Sequence, residues 1–438
     1  MKISHLYINV LSAVFTLLVH YTYAQTYADV KSIVEINCVS CHNAKTGDAP
    51  FSLETFKDLK KRIQTVRKTI ADNYMPPWTA DPHYQDYANN RSLSPKEKSL
   101  LIKWIDNGAE EGATVRTAKP GISSFPNSSQ RAPDLLLKIA KSFVIKGNNK
   151  EHFISFKVPF NLSEEKNIEA IEFYSNNKKI VHHANYMFCS VPDNKVDIEA
   201  GPTYIDGSDD VNQEKPSPYQ VYQKVPIFYT GWIPGASKEY YPSGFGWQLP
   251  KRGVIIFTIH YSALSADENS DIGVHLYFRK KPAERDIRII SLGSGGIGEQ
   301  DIYPSFLIPP NKISTFSLKV RTPEDQSVLY VWPHMHYLGK QFLAYAVTPT
   351  RDTIPLVRIP EWNFKWQELY RMKKFKKIPA GSVIHISGVY DNTSNNPQNP
   401  HSPPQYVASV GNMTSTDEMM TLLIIYTPYK EGDEDINL

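Results

Sequence analysis

The chain contains few cysteines: Cys38, Cys41 and Cys189 are the only three among 438 residues. An exported protein stapled by disulfides would have more of them. The chain also lacks an excess of charge of one sign, because 48 lysines and arginines are balanced by 45 aspartates and glutamates and the formal net charge is only +3, which is too small to suggest a nucleic-acid partner. Tyrosine and proline, in contrast, are abundant, with 26 and 32 residues, and this suits a β-rich chain with many turns.

The first 24 residues are typical of a secretory signal peptide. Lys2 precedes a largely apolar run from Leu6 to Leu18, and Ala24 offers a small residue at a cleavage position. The alternative is a retained anchor, but His20 interrupts the run, which is short for a membrane span. We therefore expect an exported protein, periplasmic or secreted, that loses residues 1–24 and has no membrane span after cleavage.

Two of the cysteines lie in Cys38-Val39-Ser40-Cys41-His42, which is the C-x-x-C-H attachment motif of c-type haem. Thiols three residues apart on a helical turn can each add to one haem vinyl group, and the adjacent histidine can bind the iron. The alternatives are a thioredoxin-like C-x-x-C and half of a zinc site. The adjacent histidine and the export signal disfavour the first, and the chain has no second C-x-x-C for the other.

Met75 is the best candidate for a sixth ligand to this haem. It stands before Pro76 and Pro77, and these prolines hold the backbone extended and so fix where the thioether points. Thioether ligation raises the potential of a haem. His83 is the competing candidate, and a purely structural Met75 is the other alternative.

Apolar residues with a helical period predict one helix from Tyr27 to Ile36 and another from Leu53 to Ala71. A capping box that begins at Ser94 predicts a third helix, which Gly108 ends. This order of helices around the haem motif predicts that residues 25–115 form a small all-α domain of the class I cytochrome c type.

Residues 116–134 are rich in proline, glycine and serine and are predicted to be a linker that tethers the haem segment with modest freedom. From residue 135 onward, short apolar or alternating runs predict many antiparallel strands and no long amphipathic helix. This pattern predicts two all-β jelly-roll (β-sandwich) domains, 135–282 and 283–438. The basic run 279–282 suggests the boundary.

Six residues on apparent strands are candidate metal ligands: His182, His183, His260, His334, His336 and Met419. Two histidines two residues apart on a strand would face the same side. Adjacent histidines on a regular strand face opposite sides, so the first pair could reach one metal only at a strand end, an edge or a bend. Taken alone, His260 and Met419 would be ordinary core residues.

The order and spacing of these blocks resemble the copper type II, ascorbate-dependent monooxygenase family, which includes the peptidylglycine α-hydroxylating and dopamine β-hydroxylating enzymes. The matching blocks are Thr258–Ser262, Pro333–Lys340, Gly231–Ala236 and Asp417–Met419, and the resemblance covers roughly residues 140 to 430. It implies two copper ions on two facing jelly rolls. The electron-transfer copper would bind His182, His183 and His260, and the oxygen-activating copper would bind His334, His336 and Met419.

The resemblance also implies the reaction, which is hydroxylation of a C–H bond with O₂ and one electron from each copper. A thioether favours Cu(I), whereas zinc has no preference for it. The partners would be a small-molecule or peptide substrate, O₂ and an external electron donor. The family's animal members use ascorbate and lack the N-terminal haem segment, so here the haem is expected to feed the copper of His182, His183 and His260.

Two other functions fit parts of the sequence. One is a non-enzymatic haem and copper electron-transfer or copper-binding protein. The other is a β-sandwich module that binds a polymer or surface and carries an appended cytochrome.

Two departures from the family pattern limit the choice of substrate. In the peptide-hydroxylating branch an arginine and a tyrosine hold a substrate carboxylate, and Trp332 and Leu423 stand at those places here. A carboxylate would find no bidentate partner there, so an apolar or aromatic substrate is more consistent. The animal members are also disulfide-rich, which Cys189 alone cannot reproduce.

Overall fold

The structure is a computed structural model that describes residues 25–44, 49–112, 131–192, 196–208, 217–223, 226–236, 238–409 and 416–438. The predicted signal peptide and most of the predicted linker lie outside these ranges. The helices are α1 Tyr27–Asn37, α2 Phe56–Lys61, α3 Ile63–Ala71 and α4 Pro95–Asp106. No helix in these ranges is long and apolar enough to cross a membrane.

Strands make up most of the regular structure after residue 134. The earlier strands are β1 Leu135–Lys138, β2 Phe143–Ile145, β3 His152–Asn161, β4 Lys166–Ser175, β5 Val181–Ser190, β6 Tyr204–Asp206, β7 Pro226–Trp232, β8 Glu239–Tyr240, β9 Phe245–Leu249, β10 Arg252–Tyr261, β11 Glu268–Ser270, β12 Ile272–Phe278 and β13 Arg285–Asp286. The later strands are β14 Arg288–Gly293, β15 Leu307–Ile308, β16 Ile313–Arg321, β17 Gln326–His334, β18 Gly339–Val347, β19 Thr353–Ile359, β20 Tyr370–Ile378, β21 Val383–Asp391, β22 Val407–Ala408 and β23 Thr421–Pro428.

These strands form six small sheets among the described residues. The two largest have the orders β1-β12-β4-β9-β13, with β8 beside β4, and β6-β3-β10-β5-β7. Two four-stranded sheets have the orders β14-β23-β17-β20 and β16-β21-β18-β19, and the pairs β11-β2 and β15-β22 complete the set. Four of the candidate ligands therefore lie on two of the sheets, His182, His183 and His260 on β5 and β10 and His334 on β17, whereas His336 and Met419 lie just beyond the ends of β17 and β23.

The predicted fold class, a small all-α cytochrome c domain followed by two jelly-roll domains, is wrong. The described chain is a mostly β arrangement of small sheets with only four α-helices, and no separate all-α domain is evident in it. One apolar cluster runs from Ala80 to Leu438 and includes strands of both predicted β domains. The sequence pattern reports local structure, and it did not reveal that these parts share one core.

The segment between α3 and α4 shows why the helices do not stand apart. Tyr87 is 1% exposed in the large β core, its hydroxyl donates a hydrogen bond to the carbonyl of Leu356 at 2.6 Å, and its backbone bridges to Met372. Asn89 donates to the carbonyl of Leu369 at 2.8 Å. The helical segment is therefore in fixed contact with the sheets and is not joined to them only through the linker.

The individual helices follow their local sequence closely. The predictions of α1 and of a capping box at Ser94 are confirmed, since Ser94 and Glu97 exchange both bonds of the box. The predicted helix 53–71 is two helices instead, because Arg62 leaves helical geometry at φ −118° and ψ 15°. The four helices share a small apolar cluster of their own around Trp104.

Candidate metal centres and haem cavity

The first candidate centre is built by a β-bulge at His182. In the β5–β10 pairing, His260 lies opposite His183 and Tyr261 lies opposite Val181, so His182 is an extra residue with no partner position. A bulge of this kind re-aims a side chain that regular alternation would send to the other face. The His182 and His183 rings consequently lie 4.8 and 5.1 Å from the His260 ring, centroid to centroid. The bulge therefore supplies the bend that two adjacent histidines on one strand need in order to reach the same metal.

The three imidazoles present converging nitrogen atoms. One ligand nitrogen from each lies within 4.8 Å of the others, so the group could hold a metal ion. Each Nδ1 atom is buried and has no hydrogen-bond partner among the described residues. His260 Nε2 lies 3.0 Å from Glu151 Oε2, and because a carboxylate only accepts, the proton is on Nε2 and the lone pair is on Nδ1. Buried lone pairs without a partner are costly, and a cation would satisfy all three.

Burial keeps these imidazoles neutral. It lowers the pKa of His182 to about 3, with His260 as the next cause, and it lowers the pKa of His183 well below the usual value. A neutral imidazole is the form that binds a metal. Thus the protein stabilises the metal-ready protonation state of this group.

The second candidate centre lies where β17 ends. His334 is the last residue of β17, and His336 follows it outside the strand, yet their Nε2 atoms face each other at 3.1 Å. His334 Nδ1 contacts Gln367 Oε1, and His336 Nδ1 lies 2.9 Å from the carbonyl oxygen of Asp417. Both partners only accept, since the Gln367 amide nitrogen donates to Phe364 instead. The protons are therefore on Nδ1, and the two Nε2 lone pairs point at each other.

Met419 belongs to the same neighbourhood through the β17–β23 pairing. His334 lies opposite Thr421, so continuing the antiparallel register by two residues places Met419 opposite His336. The hydrogen bond between His336 and Asp417 holds the two segments together at this point. Two imidazole nitrogens and a thioether are a donor set that suits Cu(I), and the register brings the backbone of Met419 to the segment that carries both histidines.

Glu418 fastens the turn that carries the two histidines. Its buried carboxyl group accepts hydrogen bonds from the backbone N–H groups of His336 at 2.9 Å and Leu338 at 2.6 Å, and burial raises its pKa to about 8. The residue is fully buried. It therefore acts as a scaffold for the turn and not as a solvent-facing acid.

Replacing Glu418 by alanine is expected to lower the free energy of unfolding by on the order of 3 kcal/mol, because buried N–H groups lose their acceptor. Urea denaturation measures the change. Glu431→Ala, at an exposed position, is the matched control. Equal midpoints for the two variants would contradict this role for Glu418.

The metal-free protein is expected to lose stability as the pH falls. His182 and His334 both have a folded-state pKa of about 3 because burial disfavours their charged forms, whereas an unfolded histidine titrates near 6.5. Below about pH 6.5 the unfolded chain binds protons that the folded chain does not, so stability falls by up to about 1.4 kcal/mol per pH unit and group until the pH nears 3. Urea midpoints between about pH 7 and pH 5 should fall in the wild type and fall less in His182→Gln. A midpoint that does not change over this range would refute the prediction.

A cavity of about 420 Å³ surrounds the C-x-x-C-H motif. Cys38, Cys41, His42 and Met75 all line it, and most of its other walls are apolar. His42 Nδ1 lies 3.0 Å from the carbonyl oxygen of Phe51, which places the proton on Nδ1 and the lone pair on Nε2. This arrangement fits a covalently attached haem with His42 as one axial ligand. Among the described residues, Met75 lines the cavity and His83 does not, which favours Met75 as the other ligand.

The far wall of this candidate haem cavity belongs to the β part of the chain. Val181, His182, Pro234 and Trp366 complete the lining, and the Trp366 ring lies 6.4 Å from the His182 ring, centroid to centroid. One imidazole of the first metal group is thus also a wall of the haem cavity. Sequence reasoning did not anticipate this shared residue.

Several residues around these centres escaped sequence reasoning. Glu151 and Gln367 orient ligand histidines, and Phe364 contacts both groups. Glu418 lies inside the Asp417–Met419 block, so its sequence position did point to the site. The alternating aromatic residues in Trp362-Asn-Phe-Lys-Trp366 could have drawn attention to this loop. Nothing in the sequence around Glu151 indicates its role.

Trp332 and Leu423 face each other in the β17–β23 pairing, and both are buried. The Trp332 ring occupies space that Gly231 leaves open, since a Cβ there would lie 2.7 Å from the ring. The indole nitrogen donates to the carbonyl of Gln367 at 3.2 Å. Neither side chain carries a positive charge, so this pair cannot hold a substrate carboxylate by charge.

No protein-family model matches the chain. Solved structures with low similarity include one titled "Structure of infectious bursal disease virus Gt strain", with 11% identity over 70% of this chain and 80% of that chain and a TM-score of 0.15. Another, a subviral particle of the VP2 protein of infectious bursal disease virus, has 9% identity over 69% and 80% and a TM-score of 0.15. At such TM-scores this likeness carries no argument.

Proposed function

We propose that this protein is an exported copper-dependent monooxygenase that hydroxylates a C–H bond with O₂ and receives electrons through its own c-type haem. The observation that supports this most is the pair of histidine groups: His182, His183 and His260 bring one ring nitrogen each within 4.8 Å of the others, and the Nε2 atoms of His334 and His336 face each other in the segment that pairs toward Met419. Two different donor sets in one chain suit two coppers with different tasks.

The donor chemistry supports this division of tasks. Imidazole suits both oxidation states of copper, so the group of His182, His183 and His260 suits one-electron transfer. The thioether of Met419 favours Cu(I), the state that reacts with O₂. Copper bound at these groups would supply the one-electron chemistry that C–H hydroxylation with O₂ needs.

The surrounding residues prepare both groups. Glu151 and Gln367 fix which nitrogen of His260 and of His334 carries the proton, and such partners orient metal ligands. The side chains of Phe364 and Trp362 are at most 7% exposed and pack beside the histidines, where they limit access of water.

The haem cavity supports an internal supply of electrons. His182 is both a wall of this cavity and a member of the first metal group. A haem attached to Cys38 and Cys41 would therefore lie against the group that it is proposed to reduce. An apolar or aromatic substrate remains the better expectation, given the apolar pair Trp332 and Leu423.

The test is oxygen uptake and haem absorbance in protein that carries copper and a reduced haem. The proposal predicts rapid haem reoxidation and O₂ consumption that stop when copper is removed or replaced by zinc. A haem that stays reduced with copper present would overturn the proposal and favour a non-enzymatic carrier. Protein that carries haem but binds no copper and consumes no O₂ would favour a binding module with an appended cytochrome.

A further inference from the structure

We propose that electrons pass between the two histidine groups through the protein itself, by way of Phe364 and the hydrogen-bonded pair Glu151 and Tyr337. This inference rests on the proposed function, because it requires a redox metal in both groups. The alternative is transfer across a water-filled gap.

Phe364 contacts both groups. Its ring centroid is 5.5 Å from that of His183 and 5.9 Å from that of His260, and it is also 5.5 Å from that of His336. Phe364 is 3% exposed, so this contact is sealed from solvent. A single buried ring therefore contacts candidate ligands of both groups.

A second connection runs beside the first through Glu151. Its Oε2 atom accepts from His260 Nε2 at 3.0 Å and from the Tyr337 hydroxyl at 3.0 Å. Tyr337 follows His336 directly in the chain, and its ring packs on Phe364 at 4.5 Å. The two groups are thus joined by hydrogen bonds and by ring contacts at the same place.

The loop between β19 and β20, residues 360–369, holds this connection in position. Trp362 donates its indole N–H to the carbonyl of His336 at 3.2 Å, and Lys365 lies 3.9 Å from Glu151. Trp366 lines the haem cavity beside His182, and Gln367 orients His334. One loop of ten residues therefore contacts both histidine groups and the candidate haem cavity.

The physical advantage is electronic coupling. Tunnelling of an electron weakens steeply with distance and is weaker through a gap than through close-packed atoms, and a protein interior is close-packed. If copper were held by His182, His183 and His260 and by His334, His336 and Met419, one electron would pass from the reduced first copper to the oxidised second copper. No bond forms or breaks, and Tyr337 keeps its proton.

The experiment follows the two cupric EPR signals by rapid freezing after oxidised, copper-loaded protein is mixed with excess ascorbate as one-electron reductant. His183→Ala, which disables the first group, gives the rate at which ascorbate reduces the second group directly. We expect the second signal to disappear faster in the wild type than in that variant. Phe364→Leu should slow the wild-type rate by on the order of tenfold, and Phe364→Tyr should restore it.

Phe143→Leu is the matched control, since Phe143 packs on Phe156 and Tyr204. Tyr337→Phe removes the hydrogen bond to Glu151 and provides a second test if Phe364→Leu fails to fold. The proposal would be supported if the EPR signal of the second group disappears more slowly while copper content and EPR parameters are unchanged. A merely structural defect would alter the copper content or the EPR parameters. If both variants keep the wild-type rate with copper bound, the inference fails while the proposed function stands. If the wild type binds no copper, both fail.

Discussion

Replacing His183 by alanine is expected to remove one of two bound coppers and to leave the haem reduced in the presence of O₂. His183 is 5% exposed, its buried Nδ1 atom has no hydrogen-bond partner among the described residues, and one of its ring nitrogens lies within 4.8 Å of those of His182 and His260. Changes to residues that merely support a metal ligand typically reduce affinity or activity about 10- to 100-fold, and loss of the ligand itself should do more. We therefore expect haem reoxidation to slow by on the order of 100-fold or more.

Copper content and the absorbance of the reduced haem after mixing with O₂ measure these two effects. His385→Ala is the matched control, because His385 stacks on Tyr345 in another sheet. The EPR signal of the remaining copper should be unchanged in His183→Ala. Two coppers in that variant, or haem reoxidation at the wild-type rate, would show that the first group is not the electron acceptor.

Replacing both Cys38 and Cys41 by alanine is expected to abolish covalently bound haem. The two thiols line the same cavity as His42, and a thiol is what forms the bond to each vinyl group. Electron delivery to the metal groups from the haem should be lost with it. Copper binding should persist, because no ligand of either group is altered.

Haem staining of the denatured chain and the pyridine haemochrome spectrum report covalent attachment directly. Cys189→Ala is a control within the same chain, since Cys189 is fully buried on β5 away from the cavity lining. That variant should keep its haem. Covalent haem in the double variant, or none in the wild type, would refute the assignment of the motif.

The sequence predicted individual elements and residue groups better than it predicted the fold. The capping box at Ser94 depends on residues three apart, and the helix that it begins is present. The condition placed on the adjacent histidines, that the strand must bend there, is met by the bulge at His182. Both conclusions follow from local backbone geometry.

The architecture was beyond this reasoning because it depends on contacts between distant parts of the chain. Tyr87 looks like an ordinary loop residue in the sequence, yet its hydroxyl donates a hydrogen bond to the carbonyl of Leu356 in the β core. A periodic pattern of apolar residues cannot predict such a contact. The supporting residues were missed for the same reason. Glu151 lies 109 positions from the histidine that it orients, so only the folded chain brings them together.

The loop of residues 360–369 is the clearest example of information that the fold adds. Its aromatic residues Trp362, Phe364 and Trp366 alternate along the sequence, but this pattern does not say what they contact. In the folded chain Phe364 contacts both histidine groups and Trp366 lines the haem cavity. A loop between two strands thereby joins three candidate redox centres.

The central claim is that the six residues hold two separate copper ions. Anomalous diffraction at the copper edge, from crystals of the copper-loaded full chain, tests it most directly. The account predicts two peaks, one bound by the Nδ1 atoms of His182, His183 and His260 and one by the Nε2 atoms of His334 and His336 together with the sulfur of Met419. A single peak, or a second copper that Met419 does not bind, would contradict it.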